Sequence, residues 1–262
     1  MNNYFKKLWN QYVKVAPSAQ VIYDDINKIE NKVVKSDHIA IRTIAHPEIG
    51  IDVIEKVFLN MGYEKCDTYD FKQKKLTAFH YEHKDESFPK VFISELRYKE
   101  LSKEAQEVAE KIIKNIKKDM TPEELLLSGT HWEKSHLVYE ETYKESEYLA
   151  WFYCFGFLVN HFAVFLNDTK NFNSMDKIND WLINTKGFRM NESGGLIKGS
   201  EEAMLEQSSI MAEKVTLTFQ DGDFEVPSCY YEFAKRYPKE TGELYTGFVT
   251  TSADKIFEST NK

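Results

Sequence analysis

The hydrophobic and polar positions of the first hundred residues predict a strand, a helix and three more strands. The segment DHIAIRT, at 37–43, is short, β-branched and alternating, as expected of a strand. After Pro47, apolar residues recur at helical spacing from Ile51 to about residue 61, and Gly62 ends that pattern. Three strand-like runs follow at 63–71, 76–83 and 90–97.

A similar order begins again in the second half of the chain. The run LVNHFAVFLN, at 158–167, predicts a strand, and 174–187 predicts a helix that starts at Ser174 and stops at Gly187. Later strands are predicted at 211–219 and 226–236. The other segments with a helical pattern lie at 3–15, 20–31, 102–128 and 143–157.

This recurrence predicts a single domain over residues 1–262 that is built of two modules. The modules span approximately 32–100 and 155–262, with a helical N-terminus before the first and a helical insert at about 101–157 between them. A recurring order of elements is the usual trace of an internal duplication. The sequence therefore predicts two β-α-β-β-β modules with extra helices.

Individual residues repeat as well. Asp37-His38-x-Ala40-Ile41 in the first predicted strand resembles Asn160-His161-x-Ala163-Val164 in the second half. Each half also has a glutamate in an apolar late strand, Glu95 in FISEL and Glu232 in YYEF. The repeat therefore equates the two histidines with each other and the two glutamates with each other.

Charge and cysteine content narrow the class of protein. The net charge of −8 argues against nucleic acid or an anionic membrane as a partner, because both require a basic surface. The three cysteines, Cys66, Cys154 and Cys229, show no CxxC spacing, and the N-terminal segment lacks an apolar signal-peptide core, so we expect a cytoplasmic protein. The apolar stretch 148–166 is close to membrane-spanning length, but a buried helix that runs into a buried strand explains it better.

Two histidines and a glutamate are candidate metal ligands. Alternate residues of a strand share a face, so His38 and Arg42 lie on one surface, with the small Ala40 leaving space between them. Two imidazoles and one carboxylate are the ligand set expected of Fe(II) enzymes with open coordination positions, and iron or manganese fits them better than a closed structural zinc does. A strand histidine is more often a hydrogen-bonded core residue, whereas a carboxylate among aromatic residues, as at Glu232, requires a partner.

Other chemistry finds less support. No GxSxG, P-loop or GxGxxG motif is present, so nothing favours a serine hydrolase, an NTPase or a nicotinamide enzyme. His80 is a possible pocket residue, and His83 lies at a strand end.

Five segments resemble, in order, those of the 2-oxoadipate dioxygenase/decarboxylases of the vicinal-oxygen-chelate superfamily. They are SDHIAIRT, FISEL, NHFAVF, YYEFAKRYP and GFVTTSADKIFEST, and the resemblance runs from about residue 30 to the C-terminus. It implies an α+β fold with a barrel-like sheet around Fe(2+), held by His38, His161 and Glu232. It also places Arg42 against a substrate carboxylate, as a catalytic and substrate-binding residue, and Ser252 near the substrate.

The resemblance implies a reaction of 2-oxoadipate, or a similar 2-oxo acid, with O2 to give 2-hydroxyglutarate and CO2, a step of lysine catabolism. In that reaction Glu95 is a structural carboxylate or an outer neighbour of the metal. Two other classes stay open. A glyoxalase-like metal lyase or isomerase would use Glu95 as a fourth ligand and consume no oxygen, and a non-catalytic binding module would hold no metal.

Overall fold

The computed structural model describes residues 3–260 and shows one curled, half-barrel sheet with helices around it. The helices are α1 (Asn3–Tyr12), α2 (Pro17–Glu30), α3 (Ile51–Asn60), α4 (Lys103–Lys114), α5 (Pro122–Leu125), α6 (His136–Glu145), α7 (Glu147–Phe155), α8 (Met175–Asp180) and α9 (Thr250–Ile256). The strands are β1 (Ser36–Ile44), β2 (Tyr63–Phe71), β3 (Leu76–His83), β4 (Lys90–Leu96), β5 (Val159–Phe165), β6 (Lys198–Ser200), β7 (Leu205–Ser209), β8 (Lys214–Phe219), β9 (Gly222–Pro227) and β10 (Tyr230–Arg236).

Strand order reveals the duplication. The eight strands of the sheet run β2-β3-β4-β1-β5-β10-β7-β6, and β8 pairs with β9 in a separate hairpin. In each half the first strand is parallel to the last, β1 to β4 and β5 to β10, and the halves meet where β1 and β5 pair antiparallel. The predicted α+β fold of two β-α-β-β-β modules is confirmed.

The second module contains the main error of the sequence prediction. Its strands β6 and β7 were not predicted, because β7 reads LEQSS and carries no apolar alternation. Yet Gln207, Ser208 and Ser209 are buried, since their polar groups are bonded within the fold. The strand predicted at 211–219 exists as β8, but it belongs to the hairpin rather than to the sheet.

Two predicted long helices are each divided in two. The segment 143–157 contains the end of α6 and all of α7, and the hydroxyl of Ser146 accepts a hydrogen bond from the Leu149 N–H at the start of α7. In 102–128, Thr121 and Glu124 form a capping box that begins α5. A capping side chain bonds backbone groups that a continuous helix would use, so the helix is interrupted there. The spacing of apolar residues does not reveal such an interruption.

The apolar stretch 148–166 folds as the buried helix α7 followed by the buried strand β5. Within residues 3–260, no helix has the length and apolar character needed to cross a bilayer. Gly156 ends α7 with a positive φ of 57°, and its amide N–H donates to Phe152 O. This turn directs the chain into β5, the strand that carries His161.

We expect Gly156→Ala to destabilise the fold by about 2–4 kcal/mol, since left-handed backbone costs an L-residue about 1–2 kcal/mol and overpacking adds about as much again. A Cβ on Gly156 would lie 2.2 Å from Gly129 O. Gly187→Ala is the matched control, because Gly187 also has a positive φ, of 71°, but nothing lies within 4 Å of its Cβ position. Urea unfolding measures both; equal losses would show that the contact with Gly129 is unimportant.

Candidate metal centre

Three side chains from neighbouring central strands converge inside the half-barrel. His38 comes from β1, His161 from β5 and Glu232 from β10, and all three are buried. The two Nε2 atoms lie 3.3 Å apart, and the Glu232 oxygens lie 3.5 Å from His38 Nε2 and 3.2 Å from His161 Nε2. The structure thus brings together the three residues that the sequence predicts as metal ligands.

The residue before each histidine orients its ring. Asp37 Oδ1 lies 2.7 Å from His38 Nδ1, and the amide oxygen of Asn160 lies 3.0 Å from His161 Nδ1. Both partners are acceptors, so in the neutral rings Nδ1 carries the proton and Nε2 presents a lone pair. This is the arrangement by which outer partners orient histidine ligands of metals.

With both rings neutral, the lone pairs of the two Nε2 atoms and of the Glu232 oxygens face one another with no proton between them. Glu232 Oε2 is buried and has no hydrogen-bond partner, although His161 Nε2 lies only 3.2 Å away. Lone pairs that face one another across about 3 Å repel, and a cation between them would turn this repulsion into coordination. The site fits a divalent metal, with Glu232 Oε1 held by Gln207 Nε2 at 2.6 Å.

The electrostatic surroundings agree with this interpretation. Burial, followed by the electrostatic effects of the neighbouring His38 and Arg42, holds the pKa of His161 well below its usual value, so the ring is neutral as a metal ligand must be. Burial raises the pKa of Glu232, against the opposing effect of His38 and of the hydrogen bond from Gln207. A bound cation would remove the cost of that buried charge.

A buried ion pair supports the His38 side. Arg236 contacts Asp37 through two bonds, Nε to Oδ2 at 2.7 Å and Nη2 to Oδ1 at 2.8 Å. Although burial acts to raise it, the Arg236 guanidinium holds the pKa of Asp37 well below its usual value. Arg236 Nη1 also donates to the carbonyls of Tyr245 and Gly247. These bonds hold the loop that carries Phe248, whose ring centroid lies 4.9 Å from that of His38.

A pocket with little enclosed space adjoins these three residues; its unfilled volume is about 380 Å³ only when open solvent at its mouth is counted. Of the six buried side chains with an unpartnered polar atom in the described part of the chain, five line this pocket. Unpartnered buried polar atoms are rare and call for an explanation, and here a bound ligand would supply it. The five atoms are Arg42 Nε, Asn160 Nδ2, Gln207 Oε1, Tyr230 Oη and Glu232 Oε2.

Arg42 lies at the far end of the pocket from the histidines along β1. Its guanidinium is buried, donates to Glu147 Oε1 at 2.8 Å and Thr260 Oγ1 at 3.2 Å, and packs on the rings of Tyr148 and Trp151. Burial acts to lower the pKa of Arg42, but the Glu147 carboxylate raises it, so the guanidinium stays charged. One edge, at Nε, remains without a partner.

Ser252 lies in α9 but is not among the described residues that line the pocket, whereas its neighbour Ala253 is. Its Oγ lies 3.2 Å from the position that a Cβ on Gly199 would take, so its side chain faces β6. His80 also lies outside the pocket, where its ring nitrogens contact Tyr69 Oη and Glu82 Oε1, each at 2.9 Å.

The predicted structural equivalence of Glu95 and Glu232 is wrong. In the second module Glu232 is paired with Ala163, two residues after the histidine, and in the first module the residue paired with Ala40 is Phe92. Glu95 is paired with Thr43, and its Oε2 accepts the Ile51 N–H at 2.9 Å at the start of α3. Since Glu95 lies on the sheet face opposite Arg42 and faces α3, it cannot act as a fourth ligand.

Several pocket residues were missed by sequence reasoning. Gln207 belongs to the unpredicted strand β7, and Phe248 lies on a loop, where no hydrophobic periodicity indicates which side chains are buried. Asn160 and Tyr230 had a signal, since each lies in a predicted strand, Asn160 next to a candidate ligand and Tyr230 two residues before one. Polar groups within apolar strands indicate a site even when they are not ligands themselves.

A half-barrel of two β-α-β-β-β modules, with a histidine–histidine–glutamate cluster at its centre, is a fold of the vicinal-oxygen-chelate type. A glyoxalase-superfamily protein from Ralstonia eutropha shares this fold with a TM-score of 0.76, over 92% of this chain and 83% of that one, at 19% identity. The sequence profile of the 2-oxoadipate dioxygenase/decarboxylase family matches residues 7–137 and 123–242, and the chain belongs to that family.

Relatives agree with this assignment. The chain is 32% identical over 277 residues to the chloroplastic 2-oxoadipate dioxygenase/decarboxylase of Arabidopsis thaliana, covering 95% of this chain and 74% of that protein. The rice hydroxyglutarate synthase in complex with 2-oxoadipate superposes with a TM-score of 0.91 over 99% of this chain and 91% of that one, at 28% identity. A Shewanella frigidimarina protein is 42% identical, with a TM-score of 0.89 over 95% of this chain and 97% of that one.

Proposed function

We propose that this protein is an Fe(II)-dependent dioxygenase that decarboxylates 2-oxoadipate, or a similar 2-oxo acid, to 2-hydroxyglutarate and CO2. The observation that carries the proposal is the concentration of unpartnered buried polar atoms around one pocket next to three converging ligand atoms. The family and the rice complex with 2-oxoadipate supply the substrate class.

His38, His161 and Glu232 would hold the iron. Two nitrogens and one carboxylate oxygen suit Fe(II), and three protein ligands leave positions for substrate and oxygen. Bound iron would supply the redox chemistry that lets dioxygen react with an oxo acid. A lyase with Glu95 as a fourth ligand receives no support, since Glu95 faces α3.

The remaining pocket residues would bind and orient the substrate. We assign the distal carboxylate to the free Nε edge of Arg42, whose position is fixed by Glu147 and Thr260. The unpartnered donors Asn160 Nδ2 and Tyr230 Oη would meet substrate oxygens nearer the histidines. The side chains of Phe92, Phe248, Ile256 and Phe257 form an apolar wall that would exclude water. Ser252 stays a proposed neighbour of the substrate, acting through the position of α9.

Oxygen uptake tests the function. Anaerobically purified protein, reconstituted with Fe(II), should consume O2 on addition of 2-oxoadipate, with one CO2 released per O2 and 2-hydroxyglutarate as product. Omission of Fe(II) and replacement by Zn(II) are the controls. Tight, stoichiometric iron without oxygen uptake on any 2-oxo acid would reject the dioxygenase, and failure to bind metal would reject the whole centre.

We expect Arg42→Lys to lower kcat/KM for 2-oxoadipate by about 10–100-fold, because a charge-assisted hydrogen bond is worth about 1.5–3 kcal/mol and a lysine has no second nitrogen to face the substrate while the first stays on Glu147 and Thr260. The comparison substrate is 2-oxohexanoate, which has the same length but no second carboxylate. Its kcat/KM should change much less. Equal losses for both substrates would assign Arg42 a structural role only.

We also propose a cytoplasmic location. Cys66, Cys154 and Cys229 form no disulfide in the structure, which suits a reducing compartment. The Arabidopsis relative is called chloroplastic, so the compartment of the present chain needs its own measurement, such as fractionation of the source cells.

A further inference from the structure

A second cluster of metal-ligating side chains lies at the edge of the sheet, on β2 and β3. Cys66, His80 and Glu82 each offer one donor atom, and these atoms all lie within 4.8 Å of one another. This cluster is separate from the His38 centre, and His80 does not line that pocket. We propose that Cys66, His80 and Glu82 form a binding site for a thiophilic divalent cation of the Zn²⁺ class.

Strand pairing places the thiol in this cluster, next to a β-bulge. Lys65 pairs with Tyr81 and Thr68 with Phe79, so the two residues Cys66 and Asp67 lie opposite the single residue His80. A bulge changes the direction of a side chain at a strand, and bulges are common next to functional sites. The register pairs Glu64 with Glu82 and Lys65 with Tyr81, so Cys66 comes next, opposite His80 and on the face that His80 and Glu82 share, and the bulge begins there.

The imidazole is already oriented for a ligand. His80 is buried, and its Nδ1 lies 2.9 Å from Tyr69 Oη, which itself accepts the Phe248 N–H at 3.0 Å. Its Nε2 faces only Glu82 Oε1, at 2.9 Å, within the described residues. A ligand lone pair on Nε2 requires Nδ1 to carry the proton and donate it to Tyr69 Oη, the kind of outer partner that fixes metal-binding histidines.

The charges and distances also suit a cation. Against the effect of desolvation, the hydrogen bonds with His80 and Thr246 lower the pKa of Glu82 to about 2, so its carboxylate is ionised. Desolvation and then the Glu82 carboxylate raise the pKa of Cys66 to about 11. A divalent ion would balance a thiolate and a carboxylate together. Donor atoms around tetrahedral zinc lie roughly 3.3–3.6 Å apart, from metal–ligand distances of about 2.0–2.3 Å, so only small movements are needed.

The ligand types select the metal. A thiolate with an imidazole and a carboxylate favours Zn²⁺, Cd²⁺ or Co²⁺ over Mg²⁺ or Ca²⁺. Cys66 is exposed and Glu82 partly so, which leaves a path for the ion and a fourth position for water. The site differs in kind from the His38 centre, which contains no sulfur.

This difference in ligands makes the test specific. Full-length, metal-free protein is titrated with Co²⁺, and the near-ultraviolet thiolate-to-cobalt absorption is recorded; only a cysteine ligand produces it. We expect the band to persist in His38→Ala, where it should saturate at one Co²⁺ per chain because the His38 centre no longer competes, and to vanish in Cys66→Ser. Glu82→Gln should weaken binding by about 10-fold or more, and Zn²⁺ should displace the cobalt.

Two results would overturn the proposal. One is a wild-type protein that shows no thiolate band at millimolar Co²⁺. The other is a band that survives Cys66→Ser, which would assign it to Cys154 or Cys229, both buried. Circular dichroism of Cys66→Ser provides the folding control, and the substitution is mild because the side chain is exposed.

Discussion

Glu232→Gln should abolish turnover while leaving the metal-free protein folded and at least as stable as wild type. The carboxylate is fully buried with one unpartnered oxygen, and burial raises its pKa, so its charge is costly without a cation. A neutral amide removes that cost but also removes the only anionic ligand. We expect activity to fall by more than about 100-fold, beyond the range of about 10–100-fold seen when an outer partner of a metal ligand is lost.

Thermal unfolding with and without metal separates binding from folding. Wild-type protein should gain about 2.7 kcal/mol at a metal concentration 100 times Kd, and Glu232→Gln should gain almost nothing at the same concentration. Glu95→Gln is the matched control, since Glu95 is also a strand glutamate but faces α3. If Glu95→Gln lost metal while Glu232→Gln kept it, the assignment of ligands would be wrong.

Arg236→Met should cost about 3–5 kcal/mol in the free energy of unfolding, because it leaves the buried charge of Asp37 without its partner. Both side chains are buried, and Arg236 also holds the carbonyls of Tyr245 and Gly247. The exposed pair Lys32–Asp168 has the same 2.7 Å separation and serves as the control. Lys32→Met should change stability by less than about 1 kcal/mol.

The double variant Asp37→Asn, Arg236→Met tests the cause. With no charge left behind, it should be more stable than Arg236→Met alone, with a coupling energy of about 0.5–3 kcal/mol. Its metal affinity should stay low, because a neutral amide orients His38 less strongly than a carboxylate. Costs that simply add in denaturant titrations would show that the ion pair is not what Arg236 contributes.

The sequence predicted the ends of the strands and the helix of the first module to within one residue, and β1, α3 and β4 carry clear apolar patterns. It failed at β7, where the buried side chains are Gln207, Ser208 and Ser209. Such a strand is held by polar bonds whose partners lie far away in sequence, as in the contact of Gln207 with Glu232. No local pattern contains that information.

The candidate site shows the same division. His38, His161 and Glu232 could be proposed because two of them repeat and the third is a carboxylate among aromatics. Arg236 and Phe248 could not, since their position depends on how a loop returns to β1. The predicted equivalence of Glu95 and Glu232 was wrong because similar residues in two strands do not establish the strand register.

The residue of the first module that corresponds to Glu232 is Phe92, so the two halves contribute differently to the proposed metal centre. At equivalent positions of the two halves, the C-terminal half has the carboxylate of Glu232 and the N-terminal half has the phenyl ring of Phe92. Two of the three proposed ligands, His161 and Glu232, would come from the C-terminal half, and only His38 from the N-terminal half. The N-terminal half instead lines the pocket with Arg42, Phe92 and Ser94 of β1 and β4. Later divergence in substrate choice is therefore expected to accumulate in β1 and β4 rather than evenly across the repeat.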